Sequence, residues 1–216
     1  MMSQKHSFQI AVLVSGGGTT LKNLIDHRSK GLLHAEIRLV VSSNPEAGGL
    51  DFAASAGIES AVFDHRTYSS AQAISEEIFD ACRRADIDLV VMGGFLRKLV
   101  IPEDFMDRVV NIHPSLIPAY CGKGMYGMRV HAAVVEDRAL LSGCTVHFVD
   151  NQYDHGPIIA QASLKVGEAT PQALQRMVFE KECELYPAVI NAIAKGEVTV
   201  VGDEVMVKES RTSAFD

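Results

Sequence analysis

The sequence has no paired cysteines. Cys82, Cys121, Cys144 and Cys183 lie far apart and form no CxxC pair. That argues against a disulfide framework or a zinc site and fits a reducing cytosol. No apolar run approaches the roughly 18 residues needed to span a bilayer. The opening MMSQKHSFQIAVLVSGGG has a short apolar run followed by a glycine turn instead of a small-residue cleavage site, so no signal peptide is expected. Basic charge is in deficit, with 20 Lys and Arg against 27 Asp and Glu and a net charge of -7. This weighs against a nucleic-acid partner, while a local basic pocket for a phosphorylated small molecule stays open. Repeats, low-complexity tracts and long linkers are absent too. The expectation is a cytoplasmic protein without nucleic-acid or membrane partners, as a monomer or homodimer.

What is present is an alternating pattern. With 216 residues, 47% hydrophobic and 22% charged, the chain suits one well-packed α/β domain, or at most two small ones. A continuous apolar run reads as a buried strand over 8–15; 35–43, the short 59–64 and the strongly apolar 87–94 read as strands too, with another opening at Val109. Helices are expected over 19–29, 68–86, 102–108, 128–138 and 170–196, the last with Thr170 as N-cap and Pro171 in its first turn. A turn and short helix fill 44–57, closed by Gly57. Further strands fall at 143–150 and 156–166. A hairpin turning at Gly202-Asp203 occupies 197–208, and the tail to Asp216 reads as loose. Alternation through residue 112 implies a parallel sheet with helices on both faces, and the closer later strands imply a mixed end. Ligands in such sheets sit beyond the carboxyl ends of the strands. Four strand ends follow: SGGGTT, GGFLRKL, NIHPS and the segment after VHFVD.

SGGGTT (15–20) joins the first strand to the first helix. Its glycines let the backbone approach a ligand, and the helix start offers free N–H groups to a phosphate. A merely tight turn is the alternative. Leu21 stands where the third glycine of the dinucleotide fingerprint belongs, and there is no Walker lysine. GGFLRKL (93–99) is either an apolar slot for a flat ring, walled by Phe95, Leu96 and Leu99, or a loop covering the sheet end. In VVNIHPSLIPAY, strand period puts Asn111 and His113 on one side, and Pro114 and Pro118 stiffen the exit. Asn111 is a candidate oxyanion donor and His113 a candidate acid or base; a structural histidine is the alternative. Asp150 and Asp154 supply carboxylates. One of them beside His113 would favour the imidazolium, and Asp150 reads better as a surface turn. His131, His147 and His155 match no metal-ligand spacing, so no metal is expected. His131 faces either a pocket or solvent.

NIHPSLIP, followed by VHFVD and YDHGPIIAQ, resembles the folate-dependent formyltransferases, and VLVSGGGTTLKNLID extends the likeness over about residues 8 to 196. The resemblance implies the formyltransferase fold: a Rossmann-like, mostly parallel twisted sheet with mixed C-terminal strands. It implies one domain over 1–216, with a phosphate-binding half (about 8–100), a catalytic and folate-binding half (about 101–196), and the hairpin and tail. It implies 10-formyltetrahydrofolate as co-substrate, with no resident metal, nicotinamide or flavin, and phosphoribosylglycinamide as the acceptor in purine synthesis. Asn111, His113 and Asp154 match the family's catalytic trio. Gly18, Thr19 and Thr20 match its phosphate loop. Leu96, Arg97, Lys98 and Leu99, with Asn111, match the folate-pocket segment. Arg66 matches a folate-contacting arginine across alignment gaps, and Glu182 falls on a substrate-contacting position.

The chain also departs from the pattern. The glycine loop, often ending Ser-Asn, here ends Thr19-Thr20 and keeps small polar donors. The segment CGKGMYGMR (121–129) is longer than in some members; Gly122, Lys123, Gly124 and Tyr126 could close over the site. Rival readings keep the fold and change the acceptor, to water in a formyltetrahydrofolate hydrolase or to methionyl-tRNA. Those enzymes normally carry an added N-terminal or C-terminal domain, which this sequence is not expected to have. A nucleotide-binding module without catalysis is disfavoured by the complete trio.

Overall fold

A computed structural model describes residues 7–202 and 204–208. Strands β1 (Gln9–Val14), β2 (Glu36–Ser42), β3 (Glu59–Val62), β4 (Leu89–Met92), β5 (Val109–His113), β6 (Leu141–Phe148) and β7 (Ile158–Lys165) form one seven-stranded sheet. Its order is β3-β2-β1-β4-β5-β6-β7. The first five strands pair in parallel; β5 with β6, and β6 with β7, are antiparallel. The sheet is therefore mostly parallel with a mixed C-terminal end, as the strand spacing implied.

Alternation along β1 explains why its sequence is apolar throughout. Ile10, Val12 and Val14 face one core with Leu21 and Leu24 of α1 (Thr19–Ser29) and Leu174, Val178 and Tyr186 of α5 (Pro171–Ala194). Ala11 and Leu13 face the opposite core with Ile74, Ile78 and Phe79 of α3 (Ala71–Arg84). Both sides of the strand are covered, so neither can carry polar residues. Each fully buried Leu or Ile contributes about 1.5–3 kcal/mol. The short α2 (Gly49–Ser55) and α4 (Met128–Glu136) complete the helices, and β8 (Val198–Val201) pairs with β9 (Glu204–Val207) as the expected hairpin. Gly202 of its turn has φ 64°; Asp203 and the tail from 209 lie outside the described residues.

Two helix expectations are corrected. The span 102–108 is a single 3-10 turn, Glu103–Phe105. Asp107 takes a left-handed φ of 57°, which ends helical geometry at once. The span 68–86 yields α3 only from Ala71, because Ser70 caps it by accepting the Ala73 N–H. A separate 3-10 turn, His65–Thr67, precedes it. The long helix starts as expected, with Thr170 accepting the Ala173 N–H. Tyr186 of α5 is fully buried. Its hydroxyl reaches Met92 O at 3.1 Å and Val110 O at 3.0 Å, tying α5 to β4 and β5 just below their carboxyl ends.

Candidate active site

The carboxyl ends of β1, β4 and β5 open into a cavity of about 740 Å³. The chain after β6 and one face of α5 complete it. Thr19, Thr20, Leu96, Arg97, Asn111, His113, Asp154 and Glu182 all line it. Residues singled out from four separate strand ends thus meet in one place. Basic side chains also face the cavity from Lys123, Arg129 and Arg176, which gives the acidic protein its local basic pocket.

His113 is 4% exposed. Its Nε2 lies 2.8 Å from Tyr120 O, and a carbonyl only accepts, so Nε2 donates. Its Nδ1 faces Asp154 Oδ2 at 3.6 Å. Asp154 is itself held, because Oδ2 accepts the Gly122 N–H at 2.8 Å. Its φ of 50° is a left-handed geometry that Asp tolerates better than most residues. The proline-rich exit from β5 is fixed by hydrogen bonds as well as by its rings. Ile117 N–H donates to Thr145 Oγ1 at 3.0 Å, and that hydroxyl donates to Ser115 O at 2.7 Å.

Asn111 sits across the sheet from His147 in the β5–β6 ladder. Its Nδ2 is 3.3 Å from His147 Nε2, while His147 Nδ1 is 2.7 Å from Phe148 O. Burial pushes His147 below the usual histidine range, partly countered by the Phe148 bond and Asp154. A neutral imidazole results, with its proton on Nδ1. His131 faces the cavity and not solvent: it is 2% exposed, and its Nδ1 has no hydrogen-bond partner. Burial, with His113 as a second cause, lowers its pKa too. Glu182 is pushed up to about 7 by burial.

Gly18 does not line the cavity. At φ 73° it precedes α1, and a Cβ there would meet Gly49 Cα at 2.4 Å. Its smallness lets α1 begin against α2 and places Thr19 and Thr20 at the cavity wall. α1 has no side-chain N-cap, so its first N–H groups remain available to an anion.

The GGFLRKL segment is partly buried over the sheet end. Phe95 and Leu99 are buried, whereas Leu96 is 58% exposed. A second, smaller cavity of about 60 Å³ adjoins it, lined by Met92, Arg97, Lys98, Leu99, Asn111 and Val149. Ser15 Oγ anchors the segment by accepting the Leu96 N–H at 3.0 Å. Arg97 Nη2 lies 2.6 Å from His65 Nε2, whose ring Nδ1 is 2.9 Å from Ser43 O. Arg66 stands apart, with its guanidinium paired to Asp64 and lining neither cavity. That pairing holds the Asp64 carboxyl down at about 2. Among the described residues no cluster of three or more His, Cys, Asp or Glu is arranged to hold a metal ion.

The formyl transferase family model matches residues 8–190, which include every cavity residue named above. The chain belongs to the formyl transferase family. It is 36% identical over 194 residues to the chloroplastic phosphoribosylglycinamide formyltransferase of Arabidopsis thaliana, covering 88% of this chain and 66% of that protein. It is 34% identical over 193 residues to the phosphoribosylglycinamide formyltransferase of Haemophilus influenzae, covering 88% and 89%. The chain thus spans just under two thirds of the length of the plant relative. Its fold is similar to that of glycinamide ribonucleotide transformylase 1 from Symbiobacterium toebii, with TM-score 0.86, 31% identity and coverage of 96% and 97%. In this formyl transferase the sequence motifs point to Asn111, His113 and Asp154 directly. They do not point to Ser15, His131 or His147, whose contacts arise from segments far apart in the chain.

Proposed function

We propose that this formyl transferase moves the formyl group of 10-formyltetrahydrofolate to the amine of phosphoribosylglycinamide, a step of purine (IMP) biosynthesis. The observation that carries the reading is the meeting of Asn111, His113 and Asp154 in one cavity that extends to Thr19 and Thr20 at the uncapped start of α1. A phosphate bound there has backbone donors and the helix dipole, with Lys123 and Arg176 on the same cavity. Glu182 on α5 contacts the acceptor. The folate ring occupies the smaller cavity beside Leu96, Arg97, Lys98 and Leu99, its formyl carbon directed toward Asn111. Arg66 is the outlying folate contact in this reading.

Chemically, the acceptor amine attacks the formyl carbon, and the carbonyl oxygen becomes an oxyanion. Asn111 donates an N–H to that oxygen. His113, in its imidazolium form beside Asp154, assists the oxyanion. The amine nitrogen loses a proton and the leaving folate nitrogen gains one, with His113 as the shuttle. No Ser or Cys nucleophile is required by this route. We read the protein as cytoplasmic, acting on small molecules and not on nucleic acid or membranes.

Supplying phosphoribosylglycinamide and 10-formyltetrahydrofolate, and following the folate product by absorbance, tests the reading. Absence of turnover by folded protein defeats the substrate assignment. Full activity in His113→Ala defeats the mechanism even if the substrates are right.

A further inference from the structure

His147 takes no part in the steps above, yet it is the side chain in hydrogen-bonding reach of the proposed oxyanion donor. It lies on β6, directly opposite Asn111 in the antiparallel ladder, and is 1% exposed. Its Nδ1 is 2.7 Å from Phe148 O. That carbonyl can only accept, so Nδ1 carries the hydrogen. In the neutral ring Nε2 is then a bare lone pair, and it points at the Asn111 amide 3.3 Å away.

An asparagine amide has two unlike ends, an NH2 donor and a C=O acceptor, exchanged by a half-turn about its last torsion. A lone pair attracts the NH2 end and repels the oxygen. We propose that His147 is the positioning residue that fixes the flip of Asn111, holding one amide hydrogen so that the second faces the formyl oxygen. With the amide reversed, Asn111 would present its own oxygen to a developing negative charge, and stabilisation would become repulsion.

The surroundings of His147 preserve its acceptor. The charged and titratable groups facing it are Asp154, with Oδ1 at 3.9 Å, together with His113 and Asp150. Burial outweighs the two carboxylates and keeps the ring neutral. A proton on Nε2 would oppose an N–H to the Asn111 NH2 and force the reversed amide. The inference rests on the formyl-transfer reading and is tested so that the two fail separately.

Six proteins decide it: wild type, His147→Asn and His147→Gln, each with and without Asn111→Ala. His147→Asn keeps a donor for Phe148 O and removes the acceptor at the Nε2 position. His147→Gln places an amide oxygen near that position. The expected result is a fall in kcat of about 10²–10³-fold for His147→Asn, the range for losing an oxyanion donor. KM for both substrates stays within about threefold, because the interaction forms in the transition state. Adding Asn111→Ala to His147→Asn costs little more, since the two act as a unit. His147→Gln recovers a large part of the lost rate. Wild-type kcat in folded His147→Asn, or losses that multiply with Asn111→Ala, overturns the inference. Side-chain amide NMR supplies a readout independent of turnover. The Asn111 NH2 resonances shift in His147→Asn, and unmoved resonances overturn the inference whichever acceptor the enzyme uses. Should wild type bind both ligands without turning over, the substrate reading fails while the NMR result still judges His147.

Discussion

Replacing Glu182 by Gln isolates one large electrostatic quantity. Burial raises the Glu182 carboxyl from its ordinary 4.5 to about 7. In the unfolded chain it regains the ordinary value. Between those two pH values the folded protein binds a proton that the unfolded chain does not, so stability falls as pH rises. The slope is about 1.4 kcal/mol per pH unit, and the whole window from 4.5 to about 7 is worth at most about 3.4 kcal/mol. Below 4.5 the contribution is complete, and above about 7 it is gone. Gln keeps the shape and cannot ionise. Thermal melts of wild type and Glu182→Gln, run from pH 4.5 to 8, therefore diverge as pH rises, with the variant the more stable at pH 8. For a chain of this size each kcal/mol moves Tm by about 2–4 °C, so the divergence reaches up to about 7–14 °C. Other titrating groups are common to both proteins and cancel in the difference. A difference in Tm that stays constant across the range refutes the reasoning.

Gly18→Ala forces a Cβ to within 2.4 Å of Gly49 Cα at a left-handed φ; the expected outcome is a loss of about 1–3 kcal/mol with a raised acceptor KM, checked by urea unfolding and steady-state kinetics. Asp154→Asn keeps an acceptor for the Gly122 N–H but removes the charge beside His113; kcat is expected to fall by about 10²-fold or more with little change in Tm. Arg66→Ala is expected to leave the formyl-folate KM within about twofold, because the guanidinium is committed to Asp64 and its exposed pair is worth little. A tenfold rise would place Arg66 against the folate.

The central strands β1, β4 and β5 were legible in the sequence because strands buried on both faces leave little room for polar alternation. NIHPS was legible because two polar side chains end an apolar strand, with prolines directly behind them. The limits of reading came from contacts between distant segments. His147 looked like one more histidine at no useful spacing. Its partnership with Asn111 is made by antiparallel register, which local pattern does not encode. Ser15 with Leu96, and His65 with Arg97, are likewise joined only by the folded sheet. The false helix at 102–108 had helix-compatible residues, and a single left-handed Asp107 ended it. Gly18 read as part of a phosphate loop, while its role as a spacer against Gly49 needs three dimensions.

The antiparallel ladder between β5 and β6 pairs Asn111 with His147 and His113 with Thr145. Those pairings depend on the strands and not on the chain that joins them. The connection from residue 114 to 140 is less free, because its Tyr120 carbonyl and Gly122 N–H hold His113 and Asp154. Strand register thus decides which side chains meet, and the connection supplies the hydrogen bonds that hold two of them in place.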